Sequence, residues 1–81
     1  MKNQELAKIF YEMADIFELE NVQWKPRAYR KAAQSLESLG EDVSDIYKEG
    51  GIKGLMRIPG VGEGLAKKIS EYLEKGYMLE Y

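Results

Sequence analysis

The chain has 81 residues, 44% hydrophobic and 32% charged, with a net charge of −2, enough for one small globular domain with one core across residues 1–81. It has no cysteine and no histidine, which excludes disulfides, thiolate and imidazole metal sites, and the Ser-His-Asp and Cys-His dyads. No apolar run approaches the roughly 20 residues of a membrane span, and the opening MKNQELAKIF has the pattern of a helix, not of a signal peptide.

The first element is an amphipathic helix. Leu6, Ile9, Phe10, Met13, Ile16 and Phe17 recur at three- and four-residue spacing, one face of about four to five turns. Asn3 is its expected N-cap. Asn21 to Lys25 reads as a connector, and Pro26 suits the first turn of the next helix, where its missing N–H costs little. There Ala28, Tyr29, Ala32, Ala33, Leu36 and Leu39 share a face; the alanines predict close approach of a neighbouring helix. Gly40 is the expected C′ residue. Asp42 to Glu49 forms a short helix that Gly50-Gly51 breaks, and Ile52 to Ile58 a further one. Leu65 to Lys75 is the last, with Leu65, Ala66, Ile69, Tyr72 and Leu73 inward and Gly76 as its stop. Strand signals are absent. The expected fold is all-α, a compact bundle of four to five short helices.

The net charge hides a pattern. Lys25, Arg27, Arg30 and Lys31 give residues 25–34 a charge of +4. Lys53, Arg57, Lys67 and Lys68 against Glu63 give residues 51–70 +3. The remaining three segments are acidic. A fold that joins the two basic segments makes one phosphate-binding face on an otherwise acidic surface; a fold that separates them leaves an ordinary mixed surface.

Between the last two helices lies Ile58-Pro59-Gly60-Val61-Gly62-Glu63-Gly64. Pro59 cannot extend the preceding helix. Gly60 and Gly62 permit positive φ and put no side chain between backbone and ligand. The helix that follows starts with N–H groups lacking intrahelical partners. Free amides, a positive dipole end and Lys67 and Lys68 one turn later suit a phosphate. Val61, apolar between the glycines, should plug into the core and anchor the loop. The bland alternative is a tight interhelix turn.

These residues resemble the helix-hairpin-helix motif of DNA-repair proteins. Leu55-Met56-Arg57-Ile58-Pro59-Gly60-Val61-Gly62 followed by Leu65-Ala66-Lys67-Lys68-Ile69 is a close match, with the motif over about 52–75. With Arg27-Ala28-Tyr29-Arg30-Lys31-Ala32-Ala33, Gly50-Gly51 and an opening helix carrying Ile9-Phe10 and Ala14-Asp15, the whole chain resembles the N-terminal 8-kDa domain of family X DNA polymerases, especially the archaeal and bacterial members.

The resemblance implies sequence-independent DNA binding at gaps, nicks or 5′-phosphate ends during repair. The DNA would lie on Gly60, Val61, Gly62, Gly64, Lys67 and Lys68 of the hairpin side, and on Trp24, Lys25, Arg27, Tyr29, Arg30 and Lys31. It implies a monovalent cation, Na+ or K+, on the carbonyls of Met56, Ile58 and Val61, and no required cofactor. It also implies a monomer in the prokaryotic cytoplasm, associated with the nucleoid, either stand-alone or part of a longer polymerase. This chain alone carries no polymerase activity. Some relatives remove a 5′-deoxyribose phosphate through a lysine Schiff base, and the matching nucleophile is Lys68. Three positions depart from the pattern: Trp24 stands where the vertebrate enzyme has histidine, Gly64 replaces a basic residue, and Glu80 stands where a lysine is expected.

Helical geometry bears on Lys68. At about 100° per residue it lies on the flank of the last helix, roughly 100° from Ile69, while Lys67 points away. A flank lysine beside Gly64 suits a nucleophile of depressed pKa and equally a phosphate-binding or snorkelling lysine. Tyr29 is either core or a phenol at the core's edge. Trp24 either stacks on a base or caps the core. Glu12, Asp15, Glu18 and Glu20 read as a solvated face. Two other functions stand beside DNA binding: a lyase acting through Lys68, and a helical protein-interaction module.

Overall fold

The computed structural model describes residues 1–79. They form four α-helices: α1 (Lys2–Leu19), α2 (Lys25–Ser38), α3 (Val43–Leu55) and α4 (Glu63–Lys75). The all-α bundle expected from the periodicity is the observed architecture, and no helix among the described residues is long and apolar enough to cross a membrane.

α1 and α2 pack most extensively. Leu6, Phe10 and Met13 of α1 meet Tyr29 and Leu36 of α2 in the core. Ala14, Ala32 and Ala33 are fully buried, and their small side chains let the helices approach closely. Two expected inward residues face out instead. Ile16 lies about 120° around the helix from Phe10 and is 48% exposed. Ala28 lies about 100° from Tyr29 and is exposed.

Asn3 is not the N-cap of α1. The helix starts at Lys2 with Met1 at the cap, and Asn3 is 2% exposed. Its Nδ2 donates to the Glu41 carbonyl at 2.8 Å, and its Oδ1 accepts from Val43 N–H at 2.7 Å. It thereby ties the start of α1 to the α2–α3 connector. Asp42 caps α3, its carboxylate accepting from Ser44 N–H at 2.9 Å. At the end of α2 the chain turns out through extended Leu39 (φ −64°, ψ 139°), so Gly40 supplies no left-handed cap. Gly76 does (φ 84°).

The break expected at Gly50-Gly51 is a kink inside α3. Gly51 takes φ 62°, ψ −151° and the helix resumes beyond it to Leu55. The resumed turn ends at Leu55, three residues earlier than the expected Ile58; Pro59 disfavours the helical region for Ile58 itself. Val43, Leu55, Ala66 and Ile69 close the core from the α3–α4 side.

Candidate functional site

Past Leu55 the backbone winds down through short turns. Arg57 N–H donates to the Gly54 carbonyl at 3.2 Å and Ile58 N–H to that of Leu55 at 3.1 Å. Val61 N–H then donates to the Ile58 carbonyl at 3.0 Å, closing a four-residue turn with Pro59 second and Gly60 third. Gly60 has φ 84°, the signature of a type II turn. Ile58 and Val61 are each 4% exposed, so both ends of the turn are pinned in the core and its tip faces solvent. Val61 does plug the core.

Gly62 hands the chain to α4 in extended conformation (φ −88°, ψ −172°) and offers no side chain to cap it. The Gly62 carbonyl accepts from Ala66 N–H at 2.9 Å. The amides of Glu63, Gly64 and Leu65 therefore open the helix without an intrahelical or side-chain acceptor, at the positive end of its dipole.

The two basic segments meet here. A β-carbon built on Gly60 would lie 2.9 Å from Lys31 Cγ and 3.3 Å from Lys31 Cδ, so the aliphatic stem of Lys31 rests on the turn. One helical turn later Ser35 Oγ donates to the Pro59 carbonyl at 2.6 Å. Further along, burial and then the charge of Lys25 hold the Lys68 ammonium below the ordinary lysine value, against an opposing effect of Glu71. Lys25 and Lys68 are thus electrostatic neighbours across α2 and α4. Lys25 Nζ also sits 4.9 Å from the Phe17 ring centroid, a cation–π placement.

The helix-hairpin-helix domain family matches residues 1–78. The chain belongs to this family. A relative, DNA polymerase lambda of Rattus norvegicus, is 33% identical over 66 residues, which cover 82% of this chain and 10% of the relative. The chain thus spans about a tenth of the length of this relative. Together the matches identify it as the 8-kDa helix-hairpin-helix domain of family X polymerases.

Within this helix-hairpin-helix domain the expected site residues occupy different settings. Gly60, Gly62 and Gly64 are exposed along the hairpin and the start of α4, and Lys31 is exposed beside them. Lys67 is exposed and lies 3.6 Å from Glu63 of its own helix. Lys68 is half-buried on the flank of α4. With Gly64, Lys67, Ser70 and Glu71 it lines an open depression of about 680 Å³. Glu80 lies outside the described residues.

Trp24 does not cap the core. It is 80% exposed and lines a second depression with Val22, Pro26, Arg27, Arg30 and Lys31. Its φ is 73° and ψ −39°, and Lys25 N–H donates to the Gln23 carbonyl at 2.8 Å: a γ-turn of the rare, strained hand. Tyr29 belongs to the core. Its ring packs edge-on against Phe10 at 5.4 Å and Phe17 at 5.2 Å between centroids, and burial raises its phenol above the ordinary value.

Arg30 faces α1. Its guanidinium is 2.9 Å from Asp15 Oδ1 and 2.5 Å from Glu18 Oε1, so these two carboxylates are ion-pair partners and not merely a solvated face. Sequence reasoning missed both this pairing and Ser35. An i,i+4 register of Lys31 with Ser35 on the helix that precedes the hairpin was the available signal for the latter.

Proposed function

We propose that this domain binds DNA through its backbone phosphates in repair, favouring gaps, nicks and 5′-phosphate ends. The carrying observation is the seating of Gly60 on Lys31, which joins a cation-rich helix to a hairpin with outward amides. Amides and ammonium groups recognise phosphate without reading base sequence. The relative's being a DNA polymerase supports the same ligand. The carbonyls of Met56, Ile58 and Val61 would hold a monovalent cation. That of Ile58 already accepts one amide and keeps a lone pair for such an ion. The domain acts as a monomer, as one module of a longer polymerase or alone, in the nucleoid-containing cytoplasm of a prokaryote.

Neutralising two to four phosphates gives a log–log salt slope of about −2 to −4. The test is affinity for gapped, 5′-phosphorylated duplex against intact duplex, between about 50 and 200 mM salt. Tighter binding to the gap, with that slope, is expected. Salt-independent binding overturns the proposal.

A second reading, a 5′-deoxyribose phosphate lyase, is favoured by the depressed ammonium of Lys68 beside Lys25. A neutral amine adds to C1′ of the ring-opened sugar and water leaves. Loss of a C2′ proton from the iminium then breaks the C3′–O bond and frees 5′-phosphorylated DNA. Borohydride reduction traps the imine as a stable amine. An absent adduct, or one undiminished in Lys68→Ala, excludes this chemistry.

A further inference from the structure

The hydrogen bond from Ser35 to Pro59 lands on one particular carbonyl. In the turn from Ile58 to Val61 the Pro59 carbonyl belongs to the central peptide, the one joining Pro59 to Gly60. Type I and type II turns differ by a rotation of about 180° of that peptide. Proline at the second position is compatible with both, and glycine at the third adopts either sign of φ. Pro-Gly favours the type II state that is observed, in which Gly60 has φ 84°, but the type I state stays within reach of both residues, so a contact on the central peptide can hold one against the other.

α2 reinforces that preference. Ser35 Oγ is 2.6 Å from the Pro59 oxygen, a short O–H···O bond. Lys31, one helical turn earlier, lies against Gly60 and leaves no room for a β-carbon there. A trans peptide is planar, with its C=O and N–H pointing in opposite directions. With the carbonyl drawn toward Ser35, the Gly60 amide points away from α2. Among the described residues none accepts a hydrogen bond from it. The flipped peptide would present a carbonyl oxygen on the outer side and repel a phosphate.

We propose that Ser35 is a positioning residue of the hairpin, holding the Pro59–Gly60 peptide so that it shows an anion a donor instead of an acceptor. This inference rests on the phosphate-binding reading above. Ser35 touches no ligand; it acts through the Pro59 carbonyl.

The test compares the full chain with Ser35→Ala and Ser35→Thr on gapped, 5′-phosphorylated DNA, at several salt concentrations. Ser35→Ala is expected to lower affinity about tenfold, the effect of one oriented hydrogen bond to a charged group. The salt slope stays unchanged because no cation is lost. Ser35→Thr keeps the hydroxyl and retains affinity. NMR couplings of Gly60 report its φ, which should average between positive and negative values in Ser35→Ala only, while the unfolding midpoint stays near that of the parent. Equal affinity in the parent and Ser35→Ala overturns the role of Ser35 while leaving phosphate binding intact. So does a Gly60 φ that stays positive. Salt-independent binding by the parent chain overturns the underlying reading instead.

Discussion

The α-carbon of Gly60 rests against the side chain of Lys31, so closely that a β-carbon at position 60 would come within 2.9 Å of Lys31 Cγ. Gly60→Ala meets two costs. An L-residue at φ 84° loses about 1–2 kcal/mol, and the Lys31 stem must swing off the turn. The expected outcome is a domain destabilised by at least about 1–2 kcal/mol that binds gapped DNA more weakly than its stability loss explains. Urea unfolding and a binding titration, run below the unfolding transition, separate the two effects.

Trp24 gives the opposite sign for stability. A bulky residue at φ 73° and 80% exposure is strained and gains little from burial, an arrangement that concentrates at functional positions. Trp24→Gly should raise stability by about 1 kcal/mol, by relieving the positive φ, and weaken binding to gapped DNA by removing a stacking surface. Trp24→Ala removes the ring but keeps the strain. It should weaken binding equally with no gain in unfolding midpoint, and a gain there would argue against strain at this residue.

Much of the helical layout was legible because it rests on local rules. Heptad-like spacing set the inner faces of α1, α2 and α4, Gly76 took the left-handed cap, and Pro59-Gly60 made the turn. What escaped depends on partners distant in sequence. Asn3 looked like a cap by residue type, yet it lies seven residues before Phe10, on the same buried face, and its partners are Glu41 and Val43. Ser35 belongs to no motif until Pro59 is placed above it. Around the hairpin the placement of the glycines and lysines follows from local spacing; the pairing of Arg30 with Asp15 and Glu18 does not, because these two sit on another helix.

Asn3 supplies a control that touches stability alone. Asn3→Ala strands the buried Val43 N–H and deprives the Glu41 carbonyl of its donor, at a cost of about 1–3 kcal/mol per group. The variant should unfold at markedly lower urea concentration, with DNA affinity unchanged wherever it is folded. Asn3→Asp keeps the acceptor for Val43 N–H but turns its second oxygen toward the Glu41 carbonyl. It should be no better tolerated than alanine. A parental midpoint in either variant would show that this tie contributes little.

Arg30 is held by the carboxylates of Asp15 and Glu18, which raise its already high pKa. Exposed ion pairs contribute only about 0–1 kcal/mol each, so the guanidinium is available to a competitor once its partners are neutral. Arg30→Ala should change DNA affinity less than Lys31→Ala does. The double variant Asp15→Asn, Glu18→Gln should bind DNA more tightly and steepen the salt slope, by up to about 0.9 for one added phosphate contact. A slope unchanged from the parent would keep Arg30 off the DNA.

Lys68 ties charge to pH. Its ammonium is depressed first by burial, second by Lys25, with Glu71 opposing. Between its folded pKa and the unfolded lysine value near ~10.4, the unfolded chain binds the extra proton. Stability contributed at this residue therefore rises with pH across that window, and below it the partly buried ammonium contributes less than it would in water. Lys68→Gln should stabilise the domain at neutral pH, with the advantage vanishing as the pH climbs through the window. Lys25→Ala removes the like charge but not the burial, so the Lys68 titration, followed at its ε-carbon by NMR, should move only partway back up. The same variant should shift the pH dependence of borohydride trapping upward wherever trapping occurs. A Lys68 titration at the ordinary lysine value in the parent would remove the basis for singling out this amine on α4.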